Sequence, residues 1–190
     1  MPILIINGVL RLKRVSTKKL VLNGVMIALV FLATRLVSIP GPIPPGIINL
    51  GDSVIMIAAI FLGAKSGFVT GAFGSALADI TFPGGIVFAP VTFIVKGLEG
   101  LIVGLIVSRN KREDRSLVFK AVAVVAGALV IVAGYFLAEA FVLSMFDTTF
   151  GYTFAITELP FNLAQGGISA VVSYILSVVL DKANIRDRLD

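Results

Sequence analysis

The side chains best suited to chemistry are a few ionisable and amide groups set inside long apolar runs. Lys96 and Glu99 stand three apart in the run from Ile86 to Val107, so on a helix they share a face. Glu158, Asn162 and Gln165 follow i, i+4, i+7 spacing and form one polar stripe at the start of the last run. Asp79 closes the third run beside Thr81 and Phe82, and Tyr135 and Glu139 stand four apart on the fifth. A charge at a bilayer centre costs about 2.5–3.5 kcal/mol by insertion scales, so such groups face a bundle interior or a watery cavity. Lys96 and Glu99 therefore read either as a structural ion pair that fixes helix packing or as substrate contacts. The stripe suits hydrogen bonding to a polar heterocycle; its other role would be bonding between helices. Asn49 and Asp52, at the head of the second run, are expected to cap a helix, because both accept from free N–H groups at a positive dipole end. Phe88, Tyr152, Phe154 and Phe161 could stack on a flat ligand or form an interfacial belt.

Other chemistry is excluded by absence. The chain has no Cys and no His, which removes disulfides, thiolate nucleophiles, His-ligated metals and His general bases. It has no G-x-x-x-x-G-K-[ST] segment and hence no P-loop ATPase of its own. A Ser–Lys hydrolase through Lys96 lacks an indicated serine. The expectation is a non-enzyme with neither metal nor cofactor.

These groups must be positioned by elements that live in lipid. Of the 190 residues, 57% are hydrophobic and 14% charged, and the mean hydropathy is +1.03. A soluble domain carries roughly 25% charge. The apolar runs are Leu20–Val37, Ile47–Leu62, Phe68–Ile80, Ile86–Val107, Leu117–Met145 and Phe154–Leu180. They predict an all-α membrane protein, a bundle of six transmembrane helices, in the cell membrane. The second and third runs are short, so a re-entrant pair with four full spans is the alternative. Breaks fall at Pro40, Pro42, Pro44 and Pro45, at Gly63–Gly67, at Pro83-Gly84-Gly85, at the charged stretch Arg109–Arg115 and at Asp147–Thr153. With both termini inside (N-in/C-in), 14 of the 16 Lys and Arg residues lie on the inner side, leaving Arg35 outside and Lys96 within a span. This divides the chain into a cytoplasmic tail (1–19), a transmembrane domain (20–180) and a second cytoplasmic tail (181–190). The apolar start, Ile3 to Leu10, lacks a preceding basic region, so no cleavable signal peptide is expected. Spacings of four between small residues recur at Gly24/Ala28, Gly67/Gly71/Ser75 and Gly100/Gly104, and permit close helix contact.

Several segments, in order, resemble the substrate-binding S components of energy-coupling factor (ECF) vitamin transporters. They are Ile48–Asp52, Gly63–Gly67, Gly71–Asp79, Phe93–Gly100 and Leu159–Gly166. The resemblance covers roughly residues 18–180. It implies six helices with cytoplasmic termini and a water-soluble vitamin bound near the outer face under the loop between the first two helices. It also implies docking of the first helix on a membrane T subunit driven by two ATPase subunits. In the family that contact is an alanine pair spaced by four; here the matching positions are Gly24 and Ala28. The run Lys96-Gly97-Leu98-Glu99-Gly100 is closest to S components for hydroxymethylpyrimidine or pyridoxine-type ligands, with riboflavin, thiamine and pantothenate as alternatives. The expected ligand contacts are Lys96, Glu99, Glu158, Asn162 and Gln165, with Asp79, Glu139 and Tyr135 behind them and the Pro-rich loop Ile39–Ile48 as a lid. The competing reading is a stand-alone transporter or channel coupled to protons through Glu99 or Glu139.

Overall fold

Within hydrocarbon a backbone must satisfy its own hydrogen bonds, and an apolar run does so as a helix. The computed structural model describes residues 4–6, 9–11, 16–41, 43, 47–109 and 117–185. Six α-helices form among them: α1 (Thr17–Leu36), α2 (Gly51–Leu62), α3 (Ala64–Ile80), α4 (Ala89–Ser108), α5 (Leu117–Leu137) and α6 (Tyr152–Lys182). Four apolar segments are long enough to cross a membrane: α1, α4, Leu117–Met145 and α6. In the N-terminal segment, β1 (Leu4–Ile6) pairs antiparallel with β2 (Val9–Arg11). Pro42, Pro44 and Pro45 of the expected lid, most of the charged 109–115 stretch, and Arg186 and Arg188 lie outside the described residues.

The structure moves several expected boundaries. The second run does not begin as a helix at Ile47. Residues Ile47–Asn49 form β4, paired antiparallel with β3 (Ser38–Pro40), Ser38 opposite Asn49, and the helix starts at Gly51. The connection at 63–67 shrinks to Gly63 alone, whose φ of +89° suits glycine and ends α2 directly against α3. α4 is preceded by a 3₁₀ turn (Gly85–Val87), and Pro90 takes a first-turn position where its missing N–H costs nothing. α5 runs on into a π turn (Ala138–Val142) and a 3₁₀ turn (Leu143–Met145). The following turn is held by Asp147, whose Oδ1 accepts the Thr149 N–H at 2.8 Å; the Thr149 side chain, and then its N–H, keep the carboxyl below the usual carboxylate range.

α2 is the central element. Eight of its twelve residues are buried, and it packs on α1, α3, α4 and α6. A helix apolar all round belongs in a core. Lipid offers no hydrophobic drive between helices, so close approach of backbones holds them together. α3 and α4 meet through glycines: Gly67 lies against the Gly100 backbone, Gly71 against the Lys96 carbonyl and Gly104 against Ala64. A methyl at Gly67 would sit 2.6 Å from Ala59 Cβ as well. Met56, Ile60, Val103, Val124 and Ile131 fill the space between α2, α4 and α5.

Candidate ligand cavity

The tails of α1, α3 and α5 and the heads of α2, α4 and α6 gather at one end of the bundle, around a cavity. Its empty volume is about 520 Å³, counting the part open to the outside. Asp79, Tyr135, Glu139, Glu158, Asn162 and Gln165 line it, together with Ile47, Asn49, Phe82, Gly85, Phe88 and Thr92. The i, i+4, i+7 stripe of α6 thus faces a single cavity with all three members. The π turn carries Glu139, and Tyr135 one turn earlier reaches the same space. Tyr135 and Thr92 share a hydrogen bond of 2.9 Å between their hydroxyls.

Beneath the cavity lies a buried polar chain. Gln165 accepts the Asn49 N–H at 2.9 Å through Oε1 and donates through Nε2 to Asp52 Oδ2 at 2.7 Å. Asp52 Oδ1 takes the Lys96 ammonium in a salt bridge, with both side chains almost wholly shielded from solvent. The ammonium also stands 5.4 Å from the centre of the Tyr135 ring. This ties α2, α4 and α6 together and fixes the inner end of the β3–β4 hairpin. The outer part of that hairpin is held by Glu158, whose Oε1 accepts the Ile43 N–H at 3.3 Å.

Three expectations are corrected here. Lys96 does not pair with Glu99 on its own helix: its salt bridge is to Asp52, because α2 brings a carboxylate to the face Lys96 presents. Asp52 is not a helix cap: it stands within the first turn of α2, and its carboxylate is committed to Lys96 and Gln165. Asn49 does secure the start of α2, its Oδ1 accepting the Gly51 N–H at 2.9 Å. Lys96 and Glu99 do not line the cavity. Glu99 is fully buried, and neither of its oxygens has a hydrogen-bond partner among the described residues. Of the aromatics, Phe88 lines the cavity, whereas Phe154 packs behind it through Phe150, with ring centres 5.4 and 4.9 Å apart along the row. Tyr152 is exposed and meets Phe136 edge-on. Thr92 and Phe82 were missed as lining residues. Thr92 stands one turn before Lys96 on α4, so the same helical spacing pointed to it.

At the other end of the bundle Lys120 is buried and bonds Asp181 and the Ser177 carbonyl. Gly24 and Ala28 are exposed on α1 amid Leu20, Val21, Val25, Leu29 and Leu32, and a Cβ on Gly24 would meet nothing within 4 Å.

A multi-pass membrane bundle with a polar cavity at one end, a buried charge chain under it and an unpacked apolar helix face defines a class: membrane-embedded small-molecule carriers. Within that class, the chain belongs to the family of ECF-type riboflavin transporter S components, which matches residues 14–182. It is a transporter S component of the membrane, and the family is not one of enzymes. A Pyrococcus woesei protein described only by its place beside a gap gene is 33% identical over 80% of this chain and 95% of its own length. A thiamine precursor transporter, HmpT, of Lactococcus lactis subsp. cremoris is 28% identical over 90% of this chain and 92% of its own length. A UPF0397 protein of Streptococcus agalactiae is 33% identical over 60% of this chain and 65% of its own length.

Proposed function

We propose that this S component binds a hydroxymethylpyrimidine-type thiamine precursor at the outer end of the bundle and passes it to a T subunit driven by two ATPase subunits. The observation that carries the reading is the cavity lined by Asp79, Tyr135, Glu139, Glu158, Asn162 and Gln165. The likeness to HmpT supports the ligand class. Lys96 acts from below, by holding Asp52 and through it Gln165.

The cavity opens at the end opposite Lys18, Lys19, Lys65, Arg109 and Lys120. The positive-inside rule puts those residues in the cytoplasm and the cavity outside. Six crossings with both termini inside follow, with cytoplasmic tails at 1–19 and 181–190. α2 spans only about 18 Å at 1.5 Å per residue, but the extended residues of β4 add about 10 Å, bringing the segment close to a hydrocarbon thickness of about 30 Å. Gly24 and Ala28, flat and exposed, form the docking face for the T subunit.

Titration calorimetry of the purified protein against hydroxymethylpyrimidine, thiamine, riboflavin, pyridoxine and pantothenate, without ATP, tests this. Tight one-to-one binding of the pyrimidine is expected; binding of another member in its place refutes the ligand. Uptake by vesicles holding this chain alone under a pH gradient would refute the assembly with ATPases.

A further inference from the structure

Among the described residues the ionisable groups on the cavity wall are all acidic. Asp79, Glu139 and Glu158 supply three carboxyl groups, and no Lys or Arg lines the space among the described residues. Lys96 is bound to Asp52, and Arg35 stacks on the ring of Phe82, a lining residue, its guanidinium 4.3 Å from the ring centre. Glu139 and Glu158 are 4% and 5% exposed, close enough to interact electrostatically. Among the described residues Glu139 Oε2 has no hydrogen-bond partner, and neither does the amide nitrogen of Asn162, which lines the same cavity. A buried polar atom left unpaired costs about 1–3 kcal/mol, so such atoms mark where a partner is due. The π turn presents Glu139 here, and turns of that kind concentrate at functional sites.

We propose that the Glu139–Glu158 wall recognises the amidine edge of an aminated heterocycle, a ring nitrogen with an exocyclic amine beside it, and rejects anionic ligands, phosphate esters included. This rests on the binding reading above and adds the chemical feature that is read. The amine donates to one carboxyl oxygen. The ring nitrogen and the second oxygen share one proton, so the pair is bidentate whichever of the two atoms carries it. The Asn162 amide donates to an acceptor on another edge of the ring. A phosphate would bring negative charge against a wall that, among the described residues, offers three carboxyl groups and no Lys or Arg to bind it.

The test uses the full-length protein and three probes of nearly one shape: 4-amino-5-hydroxymethyl-2-methylpyrimidine, its 4-oxo analogue, and the phosphate ester of the amine. The amine is expected to bind about 100-fold or more tighter than the 4-oxo compound, because a site built for a donor is left with unpaired groups by an analogue lacking it. The ester is expected to bind weaker than its parent by a similar factor. Equal binding of the amine and oxo compounds overturns the inference and leaves the pyrimidine reading standing. If only thiamine binds, which carries the same edge, the inference stands and the precursor reading falls. If only riboflavin or pantothenate binds, or nothing in the panel does, both fall. Glu139→Gln and Glu158→Gln keep the side-chain shape. Each is expected to narrow the amine-to-oxo ratio at least tenfold, whereas a purely structural role would weaken both ligands equally and leave the ratio unchanged.

Discussion

Replacing Lys96 by Met removes a charge from the middle of the bundle while keeping most of the side chain's bulk. Asp52, wholly shielded from solvent, then loses its counter-charge and keeps the Gln165 amide at 2.7 Å. Removing one partner of a buried pair costs about 3–5 kcal/mol. The surviving amide bond places the expected loss at the lower end, about 3 kcal/mol. For a chain of this length 1 kcal/mol corresponds to about 2–4 °C, so the melting temperature should fall by about 6–12 °C. Adding Asp52→Asn removes the orphaned charge and should recover at least half of that loss. Thermal unfolding in detergent, without ligand, reads both variants. Affinity measured well below the melt should change less for Lys96→Met than for Glu139→Gln, since Lys96 does not line the cavity. A Lys96→Met protein melting within about 2 °C of the parent, or a double variant no more stable than the single one, would refute the view of Lys96 as the anchor of Asp52.

Lys120→Leu should cost under about 1.5 kcal/mol in the same assay, because its partner Asp181 is 31% exposed and regains water; a loss as large as that of Lys96→Met would contradict this. Gly100→Leu drives a side chain into the Gly67 backbone and should destabilise by about 1–3 kcal/mol or more, visible as a lower melt and poorer yield; an unchanged melt would mean that α3 and α4 do not meet there. Gln165→Leu strips the Asn49 N–H and Asp52 of a partner each and should lower the melt by about 5–10 °C, with weaker ligand binding as the β3–β4 hairpin loosens. Ala28→Trp should leave ligand affinity intact and abolish uptake in cells carrying the T and ATPase subunits; normal uptake would remove α1 as the docking face.

What the sequence determined is what depends on near neighbours along the chain. Apolar length and the placement of Lys and Arg gave a multi-pass helical membrane protein, because each helix closes its own hydrogen bonds. The Glu158, Asn162 and Gln165 stripe was legible because α-helical spacing puts those positions on one face without help from other elements. Tyr135 and Glu139, four apart across the end of α5, were candidates whose facing the spacing did not give; the structure puts both in the cavity lining, Glu139 from the π turn. What tertiary structure decided is which group meets which across helices. Spacing offered Lys96 the carboxylate of Glu99 three residues on. Packing supplied Asp52 from 44 residues away instead, because glycines let α3 and α4 close on one another and α2 lies between α4 and α6. The same packing took Lys96 and Glu99 out of the cavity lining and put Thr92 and Phe82 into it. It also made the head of the second run a strand, since Asn49 finds its N–H partner in Gln165, 116 residues on, rather than in a turn of its own helix. Local periodicity fixes faces, but the partner across a face is chosen by backbones that approach from distant parts of the chain.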